Sequence, residues 1–341
     1  MLREVLCFIF GFGILIAASI DVAWTTLGTH GGGPISTPLT DGIWNIASAL
    51  HKRWPHHKRL SFVGSLNMIV LLIFWVSMLW LGWFLVFSAH PGAIVDAQSR
   101  APADNMQRFY FTAYTISTMG NGDYAPNGDV WRVFVSIATL TGLGTVSMAI
   151  TFMMNVLPAV VVTRTLASYI SDLGGTPQKI LARSWTGENF DSLNDHFLQL
   201  TGMVHMYTEQ HLAYPVLQYF HSEHERTSSA VRLACLNEIV FLLCYGVRED
   251  VRPAPMIILP MRDALSGMAA VLEGKFIDEA DVQPPLPPLA FLRDLNVPTV
   301  DDVAYFGMAK EAEQTRKFFA GLLKNDGWPW ERIWEGATRP R

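Results

Sequence analysis

Charge is scarce in this chain of 341 residues, where Lys, Arg, Asp and Glu together make up only 16%. Ordinary soluble domains carry about 25%, so part of this chain belongs in a lipid bilayer. The balance of 25 basic against 30 acidic residues leaves a net charge of −5. It provides no basic face for bulk nucleic-acid binding, and no nucleic-acid partner is expected. Cysteine is rarer still. Cys7, Cys235 and Cys244 are odd in number and lack CxxC or Cys/His spacing, which excludes a disulfide framework and leaves three small apolar residues. Neither GxSxG nor HExxH occurs, so neither an enzymatic activity nor an organic cofactor is expected.

Long uncharged runs are abundant instead. From Phe62 to His90 there is no Asp, Glu, Lys or Arg, and roughly 20 apolar residues suffice to span a bilayer. A second such run, Val133 to Thr163, is longer than a span needs and is expected to tilt, bend or extend beyond the lipid. Gly142 and Gly144 at its middle allow bending or close packing, and Pro158 near its end removes a backbone donor. These three are the candidate gating hinges. The first segment, Val5 to Ile20, reads either as a signal peptide or as a third spanning helix with Asp21 near one end.

Charge placement favours the retained helix. Lys52, Arg53, Lys58 and Arg59 lie just before Phe62, and the positive-inside rule puts them in the cytoplasm. The N-terminus is then outside, Asp41 to Leu50 is a short amphipathic helix along the inner surface, and the run beginning at Phe62 ends outside. Everything from Pro91 to Asp129 is external or dips into the membrane from outside. The second run returns to the cytoplasm near Arg164, which makes the chain a multi-pass protein of the cell (inner) membrane with a cytoplasmic C-terminal domain.

Within that connection, Asp104 to Ser117 starts on an N-cap-type residue and continues as a mostly apolar helix too short to cross. It runs straight into STMGNGDY, residues 117–124. A short helix leading into glycine-containing chain between two spans is a re-entrant loop, tolerated at that depth only where it lines a water-filled path. The string TAYTISTMGNGDYAP, followed by VWR, resembles the pore loop of the tetrameric potassium-channel superfamily. That family has Thr-x-Gly-aromatic-Gly-Asp, then a Pro and an aromatic near the start of the inner helix. Thr118, Met119, Gly120, Gly122, Asp123, Pro126 and Trp131 occupy the matching places. The resemblance covers roughly residues 60 to 163.

It implies a backbone-carbonyl filter of Thr118, Met119, Gly120, Asn121 and Gly122, supported by Tyr114, Ser117 and Asp123. Potassium, with sodium left open, would be the permeant ion, and the assembly would be a homotetramer in a lipid bilayer. Independently, a dehydrated cation needs replacement oxygens, and turning successive carbonyls to one axis uses backbone conformations that glycine adopts cheaply. An external Asn-Gly-Asp turn is the plainer alternative. Asn121 departs from the family, which has Tyr or Phe packed behind the filter at that place. Either the outer rings widen and selectivity weakens, or hydrogen bonds to Tyr114, Asp123 or Tyr124 pin Asn121 and keep the filter narrow.

The expected fold is an all-α membrane protein, divided into an N-terminal transmembrane helix (1–27), a loop with an interfacial helix and basic cluster (28–60), a pore domain (61–163), a linker (164–185) and a helical cytoplasmic regulatory domain (186–341). In that last part, apolar positions recur at helical spacing from Leu193 to Tyr207, and Ser228 to Val247, Met261 to Leu272 and Val303 to Leu323 also read as helices. Arg232 and Glu238 interrupt the apolar run of 228–247, which favours a buried core helix over a fourth span. Gln283 to Leu289, QPPLPPL, is extended: a spacer or a partner-binding segment. No GxGxxG follows a strand-like run here, so the nucleotide-binding domain common in potassium channels is not expected, and the first segment has no voltage-sensor arginine row. His221 and His224, at i and i+3 within a histidine-rich stretch, suggest a divalent-metal or pH-sensing site; scattered surface histidines are the plainer reading. A small-molecule or ion regulator of this domain is an open partner. The reading is a channel gated at its inner helix by the cytoplasmic domain, with a non-conducting membrane sensor as the alternative.

Overall fold

The computed structural model describes residues 2–28, 31–54 and 56–335. In chain order it holds α1 (Leu2–Leu27), α2 (Ser36–Arg53), α3 (His57–Leu60), α4 (Val63–Ser88), β1 (Ile94–Asp96), α5 (Asn105–Ile116), β2 (Tyr124–Pro126) and α6 (Asp129–Leu173). There follow α7 (Pro177–Ser184), α8 (Asn194–Ala213), α9 (Ser229–Phe241), α10 (Pro255–Leu272), α11 (Ala290–Asp294), α12 (Asp302–Met308), α13 (Glu313–Asn325) and α14 (Arg332–Glu335). The protein is an all-α membrane protein; among the described residues its β-strands form one antiparallel ribbon, which pairs Ile94 with Pro126 and Asp96 with Tyr124. Two compact units result: the chain up to Ile43 with Ser65–Val156, and Trp44–Gly64 with Leu157–Arg341.

In the first unit, α1, α4 and α6 are long and apolar enough to cross a membrane. Helix α1 approaches α4 closely because both carry glycine at the contact: a Cβ on Gly11 would stand 2.8 Å from the Gly82 carbonyl oxygen. Asp21 is fully buried. Its carboxylate accepts from the Ile35 amide at 2.8 Å, the Ser36 amide at 3.0 Å, the Ser36 hydroxyl and the Trp75 indole N–H at 2.9 Å. The first three groups belong to the unsatisfied start of α2, where an acidic cap is stabilising. The same carboxylate therefore starts α2 and ties α1 to α4, which explains a charge inside an otherwise apolar segment. Helix α2 is longer than the amphipathic stretch 41–50, because this cap lets it begin at Ser36.

Helix α6 runs unbroken for 45 residues, with Pro158 inside it. It continues past 163 to Leu173, so the expected loop SDLGGTP shrinks to residues 174–176, and Thr176 then caps α7 with Pro177 in its first turn.

The second unit is built on α9, in which every residue after Ser229 is buried. That burial agrees with a core helix, although α9 with its π-helical end, and α10, also meet the length and apolarity of a span. Helix α8 packs with α10 and α13 with α9. Burying Glu238 on α9 is tolerable because Arg316 of α13, equally buried, meets it through two bonds of 2.7 and 2.9 Å. The same guanidinium donates to the Pro284 and Pro285 carbonyls at 3.1 and 2.9 Å, and Tyr305 donates to the Pro287 carbonyl at 2.9 Å. QPPLPPL is thus a strap anchored to the core. The single helix expected over 303–323 is broken by a 3-10 turn at Ala309–Ala312 into α12 and α13.

Candidate functional site

The loop STMGNGDY is positioned from both ends. At its start, α5 is fixed by a reciprocal cap: the Gln107 amide donates to Asp104 and the Asp104 amide donates to the Gln107 side chain, each at 2.8 Å. At its end, β2 pairs with β1, and the Ala97 amide donates to the Asp123 carbonyl at 2.9 Å. Helix α6 also meets the end of α5 closely. A Cβ on Gly142 would lie 2.1 Å from the Ile116 carbonyl oxygen, so Gly142 serves close packing. Gly144 has open space around it and Pro158 lies within continuous helix.

Between these anchors the backbone alternates. Thr118, Gly120 and Gly122 have φ of 60°, 62° and 84°, while Met119 and Asn121 do not share that left-handed region. Nothing stands within 4 Å of a Cβ added at Gly120 or Gly122, so the need for glycine there is conformational rather than steric. Thr118 adopts the same region with a Cβ, a strain of about 1–3 kcal/mol that the two anchors must hold. Alternation of this kind gathers the amide groups on one face of the chain and the carbonyls on another. Residues 117–123 are all exposed in the single chain, Met119 by 64%.

Behind the loop stands a group of three tyrosines. Tyr114, buried on α5, donates to the Tyr124 carbonyl at 3.1 Å and accepts from the Tyr124 amide at 3.3 Å. Tyr110, one turn earlier, donates to the Asp123 carboxylate at 3.2 Å and receives the Asn121 side-chain amide on its hydroxyl. Its ring meets Tyr114 edge-on at 5.1 Å and Tyr124 at 6.3 Å. Ser117 turns back to the Tyr114 carbonyl at 3.3 Å. Asn121 is therefore held, but by Tyr110, which was not among the partners considered from the sequence. Its position four residues before Tyr114, on the same helical face, was the available signal. An apolar cavity of about 320 Å³ lies along this side, lined by residues including Trp80, Tyr110, Tyr114, Met119 and Val146.

The paired histidines are not brought together. His221 is buried and His224 exposed, and among the described residues no group of three His, Cys, Asp or Glu side chains could hold a metal. His221 instead meets His57, 164 positions away, at 2.9 Å, and Asp326 at 2.8 Å.

Residues 70–158 match the family model described as ion channel. A membrane protein of Bacillus subtilis (strain 168), named YdjJ and uncharacterized, is 30% identical over 321 residues, covering 94% of each chain. No solved structure matches the chain.

Proposed function

The chain belongs to the membrane-protein family of Bacillus subtilis YdjJ and carries an ion channel domain, and on that premise we propose that it conducts monovalent cations, potassium among them. The observation that carries this reading is the alternating left-handed backbone at Thr118, Gly120 and Gly122, exposed at the end of a capped helix between two long apolar helices. One chain supplies one side of each oxygen ring, so the working unit is a closed homo-oligomer, a tetramer by resemblance. The carbonyls of residues 118–122 and the Thr118 hydroxyl are the ion ligands, with Tyr114, Ser117 and Asp123 in support. Pinning of Asn121 by Tyr110 favours a narrow, potassium-preferring filter over a widened one.

The remaining assignments follow the same reading. The basic segment before α4 lies on the cytoplasmic side, the N-terminus of α1 outside, and the second unit in the cytoplasm, acting on conduction through α6. Gly144 and Pro158 are its hinge points. The decisive experiment is flux from liposomes loaded with potassium, using purified full-length protein. Wild type releases potassium faster than sodium, and Gly120→Ala, which forces a Cβ into φ 62°, abolishes release. Liposomes as tight as protein-free controls would overturn the proposal.

A further inference from the structure

The second unit contains a relay that the channel reading does not use. His221 is buried and its Nδ1 lies 2.8 Å from Asp326, whose other oxygen accepts from Ser228 at 3.1 Å. Its Nε2 lies 2.9 Å from Nδ1 of His57. The His57 ring stacks on Trp328 at 4.0 Å and 7°. His57 opens α3, six residues before Val63, where the chain enters α4; Asp326 and Trp328 follow α13. We propose that His57, His221 and Asp326 form a proton-operated clasp, which fastens the start of α4 to the end of α13 and opens when the histidine pair takes up a second extra proton.

The chemistry follows from counting donors. Asp326 as carboxylate can only accept, so His221 Nδ1 carries a proton. With both rings neutral, His221 Nε2 then accepts from His57 Nδ1–H. One added proton is absorbed without breaking a bond: it enters at His57 Nε2, His57 Nδ1 passes its proton to His221, and the resulting imidazolium lies between Asp326 and an accepting His57. The clasp is then electrically balanced. A second proton leaves N–H facing N–H at 2.9 Å, two positive rings against one carboxylate.

The surroundings oppose that state further. His51 at the end of α2 has its ring 4.8 Å from His57 and 6.5 Å from His221. Arg332 of α14 adds positive potential at His57, and Lys58 and Arg59 follow on α3 itself. Asp326 is the compensating negative group. Acid therefore unfastens the clasp.

Hydrogen exchange of the full-length protein in nanodiscs, corrected for intrinsic rates, tests this between pH 8 and 5. Peptides spanning 56–62 and 219–228 are expected to lose protection at least tenfold in acid. His57→Asn, whose amide still donates to His221 but does not titrate, should remove the step. Asp326→Asn, which deprives the singly protonated pair of its counter-charge, should move the step up by at least one pH unit. Flat protection in wild type, or the same step in both variants, would overturn the clasp. If His57→Asn does not fold, Asp326→Asn alone decides by whether the step moves. A consequence for conduction rests on the channel reading, and potassium flux over the same pH range separates the two. A protection step with no flux at any pH sinks the channel and leaves the clasp standing; flux with flat protection does the reverse.

Discussion

Removing one oxygen atom, by Tyr110→Phe, tests how the Asn121 position is held. The ring stays against Tyr114 and Tyr124, but the hydroxyl that receives Asn121 and donates to Asp123 at 3.2 Å is lost. A hydrogen bond between neutral groups contributes about 0.5–1.5 kcal/mol and one to a charged group about 1.5–3. Both bonds here are solvent-exposed in the single chain, so the low ends apply, and the summed restraint is about 2 kcal/mol per chain. At roughly 1.4 kcal/mol per decade, the loosened loop becomes about thirty times more populated. Selectivity should follow, because ring geometry is what distinguishes the ions. Reversal potentials of purified protein in planar bilayers, with potassium on one side and sodium on the other, measure it. The permeability ratio should fall at least tenfold in Tyr110→Phe, and Asn121→Ala added on top should change little, since the two side chains act as one unit. A Tyr110→Phe channel within about twofold of wild type, while Asn121→Ala alone loses selectivity, would refute the pairing. Asn121→Tyr, which supplies the aromatic found at this place in the potassium-channel filters the loop resembles, should make conduction indifferent to the residue at 110.

Other substitutions probe the scaffold. Gly142→Ala drives a methyl into the Ile116 carbonyl, whereas Gly144→Ala meets nothing; the first should abolish flux and lower the melting temperature, while the second should leave the melting temperature unchanged and alter only how conduction is gated. Asp21→Asn places an amide donor where four donors now converge and should cost about 1–3 kcal/mol in detergent unfolding. Arg316→Met strands the buried Glu238 and should destabilise the second unit by about 3–5 kcal/mol, most of which Glu238→Leu should restore in the double variant. His211, buried beneath Tyr207 and donating to its carbonyl at 2.8 Å, has its pKa pushed down to about 4 by burial. Its unfolded form protonates below about 6.5, so its contribution is complete above that pH and is lost as pH falls toward 4. That separation is worth about 3 kcal/mol, and His211→Gln should flatten the acid limb of a melting-temperature profile without touching exchange in 56–62.

The membrane half was legible because its signals are local. An uncharged run announces a span, Asp104 with Gln107 announces a helix start, and the glycine spacing announces the unusual backbone. What stayed hidden depends on residues far apart in sequence. The pairing of His57 with His221 spans 164 positions, and the strap role of QPPLPPL depends on an arginine 31 or 32 residues downstream. Asp21 is intermediate: its charge stood out in the sequence, but its partners on α2 and α4 did not. The end of the inner helix was misplaced because composition changes at Arg164 while the helical backbone does not.

The meeting of Glu238 with Arg316 also sets an order of events during synthesis. Glu238 leaves the ribosome 78 residues before its partner, so for that interval α9 carries a carboxylate with no cation to meet it. The nascent second unit then closes on its core at the expense of an unpaired carboxylate, and the proline strap lacks the guanidinium that binds the Pro284 and Pro285 carbonyls. A chain stopped between them would carry α9 with its carboxylate unpaired, the same loss that Arg316→Met reproduces. Completion of α13 thus supplies a late stabilising step: the unit reaches its full stability only once nearly all of it has been made.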